Sequence, residues 1–326
     1  MKIIVCTITS TNDGARFNFA CLVDGKIKAR IAHTLSIKDY TSERIFTDAK
    51  KISQTLKQND FKSAPIYISL DIPHIFQETV SLPKLSNREK NKALELEMDK
   101  LYTNWKERFV YLYSEKKNKS NFDYNFILLD KIYFSKVMAL FKPLGHHIAK
   151  IGWTKQTVGK YVARTKVYGS SNSGLFIDVG SFDTSVGIIA GAEFKSFFTV
   201  PVGVFDINQR LSEVEKVNID VILTSKEKGM KYKKMPDALE YCLSEVVVKV
   251  KCLVHAHPEL ETSKIYIHTD DVYCTEDYYK YFKRYLQGTF LIPSEKLMLT
   301  RDISTLSALL LEENKSNYIF NPKVKG

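Results

Sequence analysis

Asp178, Gly180, Ser181, Asp183 and Thr184 fall within one seven-residue stretch, Asp-Val-Gly-Ser-Phe-Asp-Thr. Those residue types suit a phosphate site. A glycine at a tight turn lets backbone N–H groups approach a phosphate, and a carboxylate beside it can hold hydrated Mg²⁺. The plainer alternative is a glycine-containing hairpin with an aspartate at its turn. An apolar run at 175–177 leads into the stretch, a second follows at 186–190, and Gly191 turns the chain into a third that ends at Pro201-Val202-Gly203. Such a pattern predicts successive strands with Asp178 and Gly180 at the mouth of a hairpin.

Other groupings with chemical capacity have simpler readings. Cys252, His255 and His257 stand near a helix end, with the donor types of a zinc site but no evident fourth ligand, and Pro258 follows. Histidines at a helix C-terminus also serve as caps, where positive charge is favoured. His146-His147 after Gly145 reads the same way, and neither His33 nor His74 has a nearby nucleophile. No G-x-S-x-G or Cys/His signature occurs. Tyr278, Phe282 and Tyr285, interleaved with Lys280, Lys283 and Arg284, have the makings of a base-stacking surface. Their helical spacing makes one buried face the simpler reading, so no nucleic-acid partner is expected.

The 326 residues suffice for two ordinary domains, and 44% hydrophobic with 26% charged residues is a globular balance. No apolar run approaches the ~20 residues of a membrane span. The opening Met-Lys-Ile-Ile-Val-Cys-Thr has too short an apolar core for a signal peptide. Five scattered cysteines without a C-x-x-C pair fit reduced thiols. A cytoplasmic chain is the expectation. The net charge of +11 favours an anionic partner or leaflet, with lysines gathered at Lys116, Lys117 and Lys119 and again at Lys226, Lys228, Lys231, Lys233 and Lys234. Solvated lysine loops are the plainer account of both runs.

The elements that must position the 178–184 stretch follow from patterning. Strands are expected at 3–10 and 17–23 around an Asn12-Asp13-Gly14 turn, and another at 27–35 after Asp24-Gly25. A helix over 41–56 aligns Ile45, Phe46, Ala49, Ile52 and Leu56, and strands follow at 65–70 and 76–82. Ser86-Asn87-Arg88-Glu89 is a capping box opening a helix with Leu94, Met98, Leu101 and Tyr102 on one face. Strands at 109–113 and 124–129 flank a basic loop at 116–121, and a helix closes at Gly145 as a left-handed cap. Residues 83–149 thus read as a β-α-β-β-α insertion. The Gly/Ser-rich stretch 166–173 is the linker candidate. Beyond it lie a long amphipathic helix at 238–254, a strand at 265–268, and helices at 276–286 and 304–311. The class is α/β, and the opening β-β-β-α-β order is that of a ribonuclease-H-like lobe.

Taken in order, these segments resemble the PilM family, the actin-like proteins of type IV pilus assembly, and more distantly FtsA and the cytoplasmic part of GspL. The resemblance rests on Glu78-Thr79-Val80-Ser81-Leu82-Pro83 with the helix after it, on 140–148 around Gly145, and on 178–186 with Pro201-Val202-Gly203. The helix 239–252 containing Ser244-Glu245 and the tail 319–322 complete it. It implies an actin-like ATPase fold of two ribonuclease-H-like lobes, 1–165 with 83–149 inserted and 174–326. It also implies that 178–184 is the second phosphate loop.

Two departures set the expected mechanism. Val5-Cys6-Thr7-Ile8-Thr9-Ser10 lacks the acid and glycine of ATP-binding members, and His268-Thr269-Asp270-Asp271 replaces their Ser-Gly-Gly adenosine turn. Two carboxylates there would repel a polyphosphate. The resemblance therefore implies a cytoplasmic scaffold, peripheral to the inner membrane, of a type IV pilus or type II secretion-like platform. It would bind a short cytoplasmic peptide of an inner-membrane assembly protein, with self-association open. No cofactor, metal or catalytic residue is expected. The alternative is an active ATPase of the same machinery with ATP and Mg at Asp178, Gly180, Ser181, Asp183 and Thr184.

Overall fold

The computed structural model describes residues 1–11, 14–36, 42–72, 75–118, 121–167, 173–260, 263–291 and Ser307. Asn12-Asp13, His74, Lys119, linker residues 168–172, the 319–322 tail and, apart from Ser307, the helix expected at 304–311 lie outside them. The chain divides into two units, one built on Met1–Trp153 and one spanning Thr154–Ser307.

The first unit opens with three antiparallel strands, β1 (Lys2–Thr11), β2 (Gly14–Val23) and β3 (Lys26–Ser36). Helix α1 (Ser42–Gln58) leads to β4 (Ile66–Asp71), which pairs in parallel with β1. All six β4 residues are buried, Ser69 and Asp71 among them, as in a strand covered on both faces. Helix α1 covers the sheet with Ala49, Ile52 and Leu56, whereas Phe46 is 61% exposed. The core-facing stripe therefore begins a turn later than its spacing suggests.

Inserted next are β5 (Ile75–Pro83), α2 (Asn87–Leu101), α3 (Trp105–Arg108), β6 (Phe109–Asn118), β7 (Asn121–Asp130), α4 (Lys131–Met138) and α5 (Phe141–Leu144). The capping box forms as read: Ser86 Oγ accepts from the Glu89 amide, and the Glu89 carboxylate accepts from Ser86 N–H at 3.0 Å. The sheet order is β5-β7-β6, and alternation along β7 serves two cores. Tyr124, Phe126 and Leu128 pack with Leu94, Met98 and Trp105, while Ile127 and Leu129 face the main core with Phe141 and Leu144. Helices α4 and α5 thus belong to the main lobe, and only the three-stranded sheet with α2 and α3 keeps a core of its own. Leu101, expected on the buried face of α2, is 53% exposed. Lys116 and Lys117 lie on β6 opposite Asp123 and Phe122, not in a loop. Gly145, at φ 69°, is the left-handed cap expected after α5.

Strand β8 (Ile148–Trp153) then pairs in parallel with β4, giving the order β3-β2-β1-β4-β8. Lys150 and Gly152 interrupt its apolar pattern, so periodicity alone predicts no strand there.

The second unit repeats this plan. It contains α6 (Thr154–Thr165), β9 (Ser173–Val179), β10 (Thr184–Ala190), β11 (Glu193–Val200), α7 (Val204–Glu215), α8 (Ile219–Glu227), α9 (Met235–Ala256), β12 (Lys264–Thr269), α10 (Thr275–Tyr285) and β13 (Thr289–Leu291). Its order is β11-β10-β9-β12-β13, with β9, β10 and β11 antiparallel and β9, β12 and β13 parallel. The sequence put residues 154–165 in the first lobe, but α6 packs on β9, β10 and β11. Helix α9 lines the core with Leu239, Leu243, Val246 and Val250, all at most 1% exposed. On α10, Tyr278 and Phe282 are fully buried, so those rings are core and offer no stacking surface.

Candidate functional site

The 178–184 stretch is the β9–β10 turn. Asp178 ends the apolar run of β9, and parallel pairing sets His268 of β12 directly beside it. His268 Nδ1 donates to Asp178 Oδ1 at 2.7 Å, and both side chains are buried. Since a carboxylate only accepts, Nδ1 carries the proton. Among the described residues His268 Nε2 has no hydrogen-bond partner.

Lys155, which the sequence reading did not single out, completes the cluster. It sits in the first turn of α6, held against the sheet by buried Val158 and Val162. A Cβ on Gly159 would lie 2.5 Å from the Phe194 ring, and one on Gly187 2.6 Å from it. The two glycines therefore leave a slot for Phe194 that draws α6 onto β10 and β11. From there Lys155, 4% exposed, points its ammonium into the turn. Nζ lies 2.8 Å from Asp183 Oδ1, 3.2 Å from the Asp183 carbonyl and 3.8 Å from Asp178 Oδ2.

Each expected phosphate-loop residue is engaged internally. The Gly180 amide donates to the Asp183 carbonyl at 3.0 Å. A Cβ on Gly180 would stand 1.8 Å from Lys155 Nζ, so the face left open by glycine holds the ammonium. Ser181 Oγ donates to Asp270 Oδ2 at 3.1 Å, and Thr184 Oγ1 donates to the Val202 carbonyl at 2.7 Å. Asp178 and Asp183 share the lysine. Burial pushes the Asp178 carboxyl up, but Lys155 and His268 outweigh it and hold it below its ordinary value. Burial likewise pushes the His268 imidazole down, while Asp178 foremost, and then Asp270, raise it above the usual histidine value.

The two acids after Thr269 behave differently from the expectation that they repel a polyphosphate. Asp271 is buried and ion-paired with Lys226 Nζ at 2.5 Å, and that ammonium also donates to Asn208 Oδ1 at 2.6 Å. Asp270 receives the Ser181 hydroxyl. Neither is a bare charge facing a cleft. Lys226 itself, read as part of a solvated basic run, is 2% exposed. At the end of α9, Cys252 is exposed and His257 packs on Phe197 with centroids 5.7 Å apart. No three His, Cys, Asp or Glu side chains among the described residues are grouped to hold a metal.

The sequence matches no protein-family model and no curated protein. Among solved structures, the PilM–PilN type IV pilus biogenesis complex matches with a TM-score of 0.67 and 11% identity, over 95% of this chain and 97% of that one. Ethanolamine utilization protein EutJ from Carboxydothermus hydrogenoformans matches with a TM-score of 0.56 and 11% identity, over 94% and 89%. The cytoplasmic domain of EpsL, an inner membrane component of the Vibrio cholerae type II secretion system, gives 0.47 and 11% over 98% of each chain. The fold is that of the actin-like ATPases.

Within the actin-like fold the polar groups of the 178–184 turn are bonded inside the protein. A phosphate needs free amide and hydroxyl donors and room at the glycine, and an Mg²⁺ needs a free carboxylate. Here the amide, both hydroxyls and both carboxylates have partners, and a lysine fills the room. These contacts occupy the groups that the ATP-binding alternative would use.

Proposed function

We propose that this chain is a non-hydrolysing actin-like scaffold of a type IV pilus or type II secretion-like assembly platform. In this reading the protein works in the cytoplasm beside the inner membrane and docks a partner's cytoplasmic peptide through the inserted subdomain. The observation that carries the loss of hydrolysis is the Lys155 ammonium lodged between Asp178 and Asp183, against Gly180. The actin-like fold serves proteins of different processes, as the names PilM and EutJ indicate, so the choice of apparatus rests on more than fold. What favours the pilus-type reading is the ordered sequence resemblance together with the likeness to the PilM–PilN complex.

Among the described residues no helix is long and apolar enough to cross a membrane; in this reading a docked partner or surface charge holds the protein at the bilayer. Each lysine near an anionic leaflet contributes about 1 kcal/mol, which makes charge alone a modest, salt-sensitive anchor. The inserted subdomain offers Leu96 and Leu101 on the outer face of α2 and Tyr111 and Tyr113 on β6, all exposed. Deleting 83–149 would strip Leu140, Phe141 and Leu144 from the main core, so point variants are the better probe.

Two measurements test the proposal together. Phosphate release from Mg-ATP should not exceed that of Asp178→Ala. Co-sedimentation with inner-membrane vesicles should persist at high salt and fall in a Leu96→Glu/Leu101→Glu/Tyr111→Lys/Tyr113→Lys variant. Turnover lost on Asp178→Ala, or unchanged recruitment of the folded surface variant, would count against it.

A further inference from the structure

Strand β6 presents an edge that its sequence makes costly to leave bare. Among the described residues it pairs only with β7, so the N–H and C=O groups of alternate residues face outward along ten positions. Its first half, Phe-Val-Tyr-Leu-Tyr at 109–113, has five uncharged residues of high strand propensity. An apolar, open edge of this kind templates pairing with another chain, and folded proteins ordinarily cover or charge it. Charge appears only at its far end, at Glu115, Lys116 and Lys117.

The face beside that edge adds recognition features. Tyr111 and Tyr113 are each 36% exposed. Trp105 packs on Tyr111 with centroids 4.5 Å apart, and it is 3% exposed. Its indole N–H has no acceptor among the described residues. A buried donor without an acceptor is costly, so an arriving acceptor would be rewarded.

We propose that β6 takes up an extended peptide of a partner as a fourth, antiparallel strand. The peptide carries alternating apolar side chains over Tyr111 and Tyr113 and acidic residues at its N-terminal end, beside Lys117. The inference rests on the reading that the inserted subdomain docks a partner and specifies how it does so. Charge selects the occupant. Lys90 is neutralised by Glu115 and Lys106 by Glu95, whereas Lys117 is exposed and has no ion-pair partner among the described residues. Residues 105–118 hold four basic and two acidic side chains. A second copy paired antiparallel through 109–113 would carry the uncompensated Lys117 of each strand into the net-positive 105–108 end of the other. An acid-tipped peptide is drawn to the Lys117 end. Main-chain bonds supply affinity and alternate side chains supply selectivity, as in other strand additions.

The probe is a labelled synthetic peptide of two aspartates followed by alternating threonine and valine, titrated into the full chain by anisotropy, with amide exchange read across β6. Binding should slow exchange within 109–117. Methylating alternate peptide nitrogens on the bonding edge should weaken it at least about tenfold, and Lys117→Glu about fivefold. Tyr113→Lys, checked for folding by circular dichroism, should lose binding. Undetectable binding, unchanged β6 exchange, or indifference to N-methylation would overturn the proposal. Exchange that slows with protein concentration and no peptide would overturn it too, in favour of a second copy. If the α2 variants Leu96→Glu/Leu101→Glu abolish vesicle recruitment while every β6 result is negative, partner docking stands and the edge-strand mode falls. If the peptide binds β6 while recruitment ignores the whole subdomain, the scaffold reading is what fails.

Discussion

Replacing Lys155 with methionine keeps the volume of the side chain and removes only its charge, so it isolates what the ammonium contributes. Nζ sits 2.8 Å from Asp183 Oδ1 and 3.8 Å from Asp178 Oδ2. At an effective dielectric of ~20, attractions over such distances are roughly 4–6 kcal/mol each before desolvation. Taking an ammonium out of water offsets several kcal/mol of that. Removing one partner of a buried pair nevertheless costs about 3–5 kcal/mol, because the remaining charge is stranded. Here His268 still contacts Asp178, and the Asp183 side chain keeps 21% exposure, so the lower end applies, about 3 kcal/mol. For a unit of this size that is a fall of about 6–12 °C in the melting transition. The assay is thermal and urea unfolding followed by circular dichroism for wild type, Lys155→Met, Asp183→Asn and the double variant. The double variant should recover part of the loss, with a coupling of at least about 1 kcal/mol. A Lys155→Met protein within about 0.5 kcal/mol of wild type would refute the reasoning.

Three further perturbations probe the same unit. Lys226→Met strands Asp271 beside Asn208 and Tyr278 and should cost about 3–5 kcal/mol, whereas Lys226→Met/Asp271→Leu should recover most of it in urea titrations. Gly203→Ala sets a Cβ 2.5 Å from the Phe182 amide nitrogen and 2.6 Å from the Gly180 carbonyl. Backbone cannot step aside cheaply, so a loss of about 1–3 kcal/mol is expected, read as a lower melting temperature. The third is pH. Asp178 and neighbouring Asp270 raise His268 above 6.5 against burial, so its contribution is complete below that value and fades as pH rises through the raised one. Asp178 lies below 3.8, so its contribution is complete above 3.8 and is lost as pH falls through the lowered value. The stability gap between wild type and His268→Gln should be widest between those two ordinary values and narrow toward alkaline pH. Melting curves showing a gap that widens there would contradict the assignment.

How much of this was legible beforehand depended on how local the signal was. The capping box at Ser86 and Glu89, the left-handed Gly145 and the strands around 178–184 are written in neighbouring residues, and each appears in the structure. Lys155 is different. A lysine in a helix is by default a solvated side chain, and only the packing of α6 on β10 and β11, across the Gly159 and Gly187 slot, sends it inward. Lys226 was hidden the same way inside a basic run. Strand β8 carries a lysine and a glycine where periodicity needs apolar residues. Phe46 and Leu101 share the helical spacing of buried neighbours yet are exposed, because spacing alone does not specify how wide the covered face is. His268 stood out as a departure from a glycine turn, but its bond to Asp178 needed the β9–β12 register.

The most direct measurement is calorimetric titration of the full chain with Mg-ATP, run beside Asp178→Ala. A turn whose Gly180 amide, Ser181 and Thr184 hydroxyls and Asp178 and Asp183 carboxylates are all engaged within the protein should give only heat of dilution, with any dissociation constant weaker than about 1 mM. A micromolar affinity in wild type that Asp178→Ala abolishes would mean that Lys155 yields its place to the nucleotide, and that the loop is a working phosphate site.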